Sequence, residues 1–308
     1  MAYTVSPLSD RLNWGAKVTL TAADLDDEAT RKALYDLWID KGLIVFRGLK
    51  GEEEHIKLSN IFGNPEKHPL MMHDPEAHPQ LAKMDYKPAT AALFKVHGEV
   101  KGAWLPWHSD LIYGARINHG GILRALVVPE TGGQTGYIDQ ISVYDSLPED
   151  IKAKIDGLNV LYRLQLDCSK LKYNHDPEVT MERPQETFDD IMERYSKRRS
   201  IHPMVFVQEE TGRKVLNISP WFADGIEGME NAEGDALMEY LVRHSMREDN
   251  AYFHDWQVED MVLWDNWRML HHAVGVPVQS QRHLQRTTLH GDYALGRWEG
   301  EEAEAAAA

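Results

Sequence analysis

The chain has 308 residues, 43% of them hydrophobic, with a formal charge of −16 and a pI near 5.4. That is enough apolar material for one large core. So acidic a surface repels a nucleic-acid backbone or an anionic membrane, and any anion that binds has to meet a local basic pocket. The single cysteine, Cys168, excludes an intramolecular disulfide and a thiolate metal cluster. The first twenty residues lack a basic segment followed by an apolar run, and nowhere do about 20 apolar residues stand together, so a cytoplasmic location with no membrane partner is expected.

Behind Asp26 and Asp27, which can cap a helix start, Ala33, Leu34, Leu37 and Trp38 recur at helical spacing and predict a helix over 28–39. The apolar run Leu43-Ile44-Val45-Phe46, closed by Gly48, reads as a buried strand, and a second helix over 52–62 ends at Gly63 and Pro65. From Leu81 onward the pattern changes to short apolar runs between turn residues, at 81–86, 93–96, 122–128, 160–166, 204–208, 215–218, 261–264 and 284–289. Helical stretches interrupt it at 142–155, 186–195 and 232–246. Many short strands with few helices between them predict a mainly β fold with flanking helices, a double-stranded β-helix or jelly-roll barrel. No repeat or low-complexity linker divides it, so residues 1–298 read as a single catalytic domain and the acidic, alanine-rich 299–308 as a disordered tail.

Two distant stretches carry the chemistry: Trp107-His108-Ser109-Asp110, and Trp264-Asp265-Asn266-Trp267-Arg268-Met269-Leu270-His271, followed eleven residues later by Arg282. Two imidazoles and one carboxylate on one face of ferrous iron leave its opposite face open. A His-x-Asp triplet by itself says little, because 15 histidines and 24 aspartates in 308 residues produce about one by chance. The chain has two, and a His97-Gly98-Glu99 variant. His290-Gly291-Asp292 has no later histidine to join it, and its glycine favours a turn. On an extended strand residues i and i+2 point the same way, so His108 and Asp110 are expected to reach one ion from one strand. His271 follows an apolar strand, an Asp-Asn turn and a second short strand, a pair of strands able to carry it to the metal, while His272 points to the other face. Arg282 offers a planar guanidinium to a second carboxylate, that of a diacid co-substrate, and Arg286, four residues on, faces the same side.

These residues stand in order with Phe62-Gly63 followed by His68-Pro69, with Gly132-Gly133-Gln134-Thr135, and with His202-Pro203 followed by Gly212-Arg213-Lys214. After His271-His272-Ala273 come Arg286-Thr287-Thr288 and Gly291-Asp292. Over roughly residues 43–292 the chain therefore resembles the taurine and alpha-ketoglutarate-dependent dioxygenase family, Fe(II)/2-oxoglutarate oxygenases that include the enzymes oxidising aryloxyalkanoate herbicides. The resemblance implies Fe(2+), 2-oxoglutarate as co-substrate and O2. It makes His108, Asp110 and His271 the iron ligands, and Thr135 and Arg282 the pair that holds the distal carboxylate of 2-oxoglutarate. The implied reaction converts 2-oxoglutarate to succinate and carbon dioxide while an unactivated C–H bond is oxidised, by hydroxylation foremost, with desaturation or epoxidation as other outcomes. Halogenating relatives carry a small residue in place of the carboxylate, so Asp110 argues against halogenation.

The resemblance also implies that His68 meets the acidic group of the substrate, and that Arg286 meets it too or lies beside the iron-bound end of the co-substrate. Around them the chain departs from the taurine-oxidising members, with Trp104 in place of a polar residue, Met71 in place of an aromatic hydroxyl, and a different Ser219-Pro220-Trp221-Phe222 segment. With Leu111 and Tyr113, these residues are expected to line a pocket for a mid-sized, mostly apolar organic acid rather than taurine. Relatives assemble as dimers or tetramers, so a homo-oligomer is expected as well. Two other readings share the three ligands. One is a zinc-dependent hydrolase, for which no separate general base lies near the metal motifs; the other is a metal-free metabolite-binding barrel.

Overall fold

In the computed structural model, which describes residues 3–69, 78–173 and 176–301, the short apolar runs pair into two large sheets. The larger runs in the order Thr4–Pro7, Ala16–Thr19, Leu43–Arg47, Met261–Asp265, Gly120–Val127, Arg282–Leu289 and Pro65–Glu66, with Ala82–Tyr86 also laid on Arg282–Leu289. Its pairings are antiparallel except between Ala16–Thr19 and Leu43–Arg47. The second sheet has the order Val179–Arg183, Leu93–Val96, Glu99–His108, Met269–Pro277, Thr135–Asp139 and Ala251–His254. Leu43, Val45, Leu123, Val262, Trp264 and Leu284 of the first sheet pack on Tyr137 and Met269 of the second. A smaller sheet built on Asn159–Tyr162 and Ser200–Pro203 lies beyond.

Leu43–Phe46 and Met261–Asp265 are buried at every position, and both faces have reason to be. The inner face meets the second sheet. The outer face is covered by helices Glu28–Lys41 and Gly51–Phe62, whose Leu34, Trp38, Leu58 and Phe62 pack on Ile44, Phe46, Ile122 and Leu263. A strand enclosed on both faces reads as a continuous apolar run instead of an alternating one.

The mainly β, jelly-roll expectation holds, with one correction: the sheets are not closed into a barrel. Among the described residues, the outer strands Thr4–Pro7, Val179–Arg183 and Ala251–His254 each pair on one side only, so no ladder runs around the molecule. The predicted hairpin before His271 is also corrected. Met261–Asp265 belongs to the first sheet and Met269–Pro277 to the second, so residues 266–268 form an arch between sheets. Arg268 holds that arch: it bonds Asp139 at 2.5 Å and donates to the carbonyls of Ile39 and Asp40.

Most helices follow their local signals. Glu28–Lys41 begins where Asp27 accepts the Thr30 N–H and ends at Gly42 in the left-handed conformation, and Ala232–Ser245 begins at Asn231, which accepts two backbone N–H groups. The predicted helix over 142–155 is two, Gln140–Asp145 and Glu149–Ile155, because Pro148 has no N–H to continue the ladder. The 160–166 run pairs only to Tyr162, where both neighbouring strands end. Among the described residues no helix is long and apolar enough to cross a membrane.

Three buried histidines couple this core to pH. Burial pushes His55 and His119 down to about 3 and His202 to about 4. The unfolded chain takes up protons on these rings below about pH 6.5, whereas the folded chain refuses them until far lower pH, so each removes stability as pH falls. Asp265, raised to about 7 by burial, acts in the opposite sense between about pH 4 and 7 and is outnumbered by the histidines. Thermal unfolding is therefore expected to show Tm falling from pH 7 to pH 5, with each histidine contributing on the order of 1 kcal/mol per pH unit below 6.5. A Tm that rises on acidification over this range contradicts that assignment.

Candidate metal centre

The site begins with an irregularity in one strand. Glu99–His108 lies against Met269–Pro277 with Leu105 opposite Ala273 and His108 opposite His271, so three steps on one strand span two on the other. Opposed residues share a face, and His271 and Ala273 share one by alternation. The bulge at Pro106 and Trp107 is what turns Leu105 and His108 to that same face. Pro106 is suited to a bulge because it has no N–H to leave unpaired. Its carbonyl accepts a hydrogen bond from His108 Nδ1 at 2.7 Å, which places the ring proton on Nδ1 and leaves the Nε2 lone pair facing inward.

Asp110 is not on that strand, contrary to the sequence expectation. The strand stops at His108, and Asp110 sits in the turn that follows, just before Leu111 at φ 58°. A side chain from the inter-sheet arch holds it. Asn266 Oδ1 accepts the Asp110 N–H at 2.8 Å, and Asn266 Nδ2 donates to the carbonyls of Asp110 and Asn118 at 3.0 and 3.1 Å. The Ser109 N–H donates to Ser219 Oγ at 3.0 Å. One arch thus delivers His271 and tethers Asp110.

The ligand atoms of His108, Asp110 and His271 lie within 4.8 Å of one another, all three residues buried. Nε2 of His108 and of His271 stand 3.5 and 3.6 Å from Asp110 Oδ1, close to the roughly 3 Å between adjacent donors of one small divalent ion. Burial, reinforced by the neighbouring His108, pushes His271 down to about 4, so its ring is neutral near pH 7. Burial opposes ionisation of Asp110, but Arg286 and the two imidazoles hold its carboxyl well below the usual range. Two neutral imidazoles and one carboxylate suit ferrous iron and leave further coordination positions toward the cavity.

That cavity, about 360 Å³, lies between the two large sheets. The three residues share its wall with Thr135, Arg282 and Arg286. Arg286 Nη2 bonds Asp110 Oδ2 at 2.6 Å, with its guanidinium 4.8 Å from the centre of the Trp264 ring. Arg282 differs from it. It is buried, burial pushes it down to about 10, and among the described residues no carboxylate pairs with it. A buried guanidinium without an anion is costly, which marks its place as one for an incoming carboxylate. Thr135 Oγ accepts the Trp256 indole N–H at 3.0 Å, so its own hydroxyl proton is available to an anion.

The remaining wall is largely apolar, with Phe94, Trp104, Leu105, Leu166, Phe188 and Trp221. Of the residues expected to face the substrate, Trp104, Trp221 and Arg286 are on it. Tyr113 is buried edge-on against Phe222 at 4.9 Å, and Leu111 lies in the same core cluster, both away from the wall. His68 is buried but is not among the wall residues, and Met71 lies outside the described residues. His272 hydrogen-bonds the Leu105 carbonyl at 2.6 Å. His290 sits on the surface beside Glu66, as expected of a turn residue. Asn266 stood within the Trp264-Asp265-Asn266 motif without a role of its own, and Trp256 carried no sequence signal at all.

The model of a family described as taurine catabolism dioxygenase TauD, TfdA family, matches residues 4–288. The (S)-phenoxypropionate/alpha-ketoglutarate-dioxygenase of Sphingobium herbicidovorans is 30% identical over 303 residues, covering 95% of this chain and 96% of that one. An alkylsulfatase of Acinetobacter baylyi is 29% identical over 272 residues, 88% and 80% of the two chains. The crystal structure of a taurine dioxygenase from Burkholderia xenovorans matches with a TM-score of 0.71 at 24% identity, covering 95% of this chain and 90% of that one, a likeness of fold.

The Asn266 tether generates a test. Asn266→Ala frees the turn that carries Asp110 while leaving the three donor side chains in place. Ferrous affinity, measured by anaerobic titration, is expected to fall about 10- to 100-fold, as is common when a partner that orients a ligand is lost. Unchanged affinity in a folded variant removes Asn266 from the site.

Proposed function

The chain belongs to the TauD/TfdA dioxygenase family, whose members use ferrous iron, 2-oxoglutarate and O2, and from this premise we propose the roles of its residues and its class of substrate. His108, Asp110 and His271 hold the iron, Thr135 and Arg282 hold the distal carboxylate of 2-oxoglutarate, and residues 1–298 act as one catalytic domain. The substrate is a mid-sized, mostly apolar organic acid, oxidised at an unactivated C–H bond, most simply by hydroxylation. The observation that carries this reading is Arg282, a buried guanidinium that has no carboxylate partner among the described residues and lies on the same cavity wall as the three ligands.

Each residue then has a task. The Pro106 carbonyl keeps the His108 proton on Nδ1, so Nε2 stays a donor, and Asn266 keeps Asp110 turned inward. Arg282 grips a carboxylate through two parallel N–H groups while Thr135 donates to a remaining lone pair. When bound, iron would supply the centre at which O2, the oxidant, takes two electrons from 2-oxoglutarate, which leaves as succinate and carbon dioxide, and two from the substrate C–H bond, which gains one oxygen atom. The apolar wall excludes water and orients the C–H bond, which decides the hydrogen that is lost. Arg286, at the inner end and already bonded to Asp110, is the cation nearest an acidic group that approaches the metal.

The substrate class rests on that wall and on the relatives, which are named for phenoxypropionate, 2,4-dichlorophenoxyacetate and sulfate esters, anions with an apolar body. A zinc hydrolase has no task for Arg282, and a metal-free binding module has none for three convergent donors. Succinate released from 2-oxoglutarate, with ferrous iron and a panel of aryloxyalkanoates, alkyl sulfates and taurine, tests the reading. Apolar acids are expected to stimulate release and taurine to fail. Arg282→Ala is expected to raise the KM for 2-oxoglutarate about 100-fold or more with little change in iron affinity. Bound zinc with turnover in the absence of oxygen overturns the proposal in favour of hydrolysis.

A further inference from the structure

A second cleft, about 270 Å³, lies behind one wall of the cavity. Trp107, Cys168, Leu171, Val179 and Met246 line its apolar interior, and His97, Lys101 and Asp176 also border it. Two side chains, Trp104 and His272, line both spaces and therefore form the partition between them.

The two halves of that partition are held differently. His272 bonds the Leu105 carbonyl at 2.6 Å and stacks on Trp107 with ring centres 5.0 Å apart. The Trp104 indole meets Phe94 and His272 through ring contacts at 5.3 and 6.0 Å, is only partly buried, and makes no side-chain hydrogen bond among the described residues. Ring contacts alone leave an indole free to turn about χ1 and χ2, whereas a bonded and stacked imidazole is fixed. Trp104 is the less firmly held half.

Space makes this matter. The cavity beside the triad has to hold 2-oxoglutarate as well as the substrate, so a longer apolar body has to extend along or past its wall. We propose that the cleft behind Trp104 is a distal subsite for the apolar tail of the substrate, and that Trp104 sets the length of tail the enzyme accepts. The ligand class is a straight alkyl chain or a flat aryl extension, since the interior beyond the indole offers aromatic, aliphatic and sulfur contacts. This assignment rests on the oxygenase reading of the triad.

The experiment measures kcat/KM by succinate release for homologous straight-chain alkyl carboxylates and alkyl sulfates, from butyl to dodecyl. It uses the wild type, Trp104→Ala, Trp104→Phe, and Trp104→Ala combined with Leu171→Trp, each checked for folding by circular dichroism. Wild-type values are expected to fall once the tail reaches the indole. In Trp104→Ala the optimum moves to longer tails, with a gain of about fourfold for each methylene newly buried. Trp104→Phe gives a smaller shift in the same direction, and Leu171→Trp, which fills the cleft away from the metal, abolishes the gain. An unchanged length optimum in the Trp104 variants, or a gain that survives Leu171→Trp, overturns the subsite while leaving the oxygenase reading intact. No succinate from any protein with any substrate overturns the oxygenase reading and the subsite with it.

Discussion

The buried carboxamide of Asn266 is the contact on which the rest of the site depends. It sits in the arch that leaves one sheet at Asp265 and enters the other at Met269, and it bonds both backbone groups of Asp110. Without that tie, the Asp110 backbone, in a turn past the end of a strand, would be held only through the neighbouring Ser109–Ser219 bond and the Arg286 ion pair, while the two histidines stand on paired strands. The arch is held in turn by Arg268, whose bonds to Asp139 and to two carbonyls at the end of helix Glu28–Lys41 join both sheets to the helical layer. Metal affinity and fold stability therefore share one short stretch of chain.

Charge is organised around the same point. In a protein with a formal charge of −16, three buried arginines approach the arch and the cavity, and two of them are neutralised internally, Arg268 by Asp139 and Arg286 by Asp110. Among the described residues the third, Arg282, has no carboxylate partner. A buried cation of this kind suits a small anion better than an extended polyanion, which the acidic surface repels. The remainder of the wall is largely apolar, and Trp104 and His272 border both the cavity and the cleft behind it.

Much of this was legible in the chain, for physical reasons that differ by element. Helix Glu28–Lys41 was legible because its cap, Asp27 with Thr30, is local, and Leu43–Arg47 because a strand covered on both faces is continuously apolar. Arg282 and Arg286 were legible as a pair because four residues on a strand return to one face. The break at Pro148 was missed, because periodicity predicts one helix over 142–155, straight through a proline that has no N–H to continue the ladder. The placement of Asp110 on a strand was wrong because alternation assumes an uninterrupted ladder, and the ladder here carries a bulge and then stops.

By itself the sequence determined residue types and spacings: a carboxylate two positions from one imidazole, a second imidazole eleven residues before an arginine, apolar runs short enough to be strands, and caps that start helices. These depend on neighbours along the chain. The tertiary structure alone decided which sheet each strand joins, that residues 266–268 form an arch and not a hairpin, that the bulge at Pro106 turns His108 inward, and that Arg286 is neutralised by Asp110 while Arg282 has no carboxylate partner among the described residues. Each of those is set by pairing register and by what lies across a gap between sheets, and local spacing carries no information about a partner more than a hundred residues away.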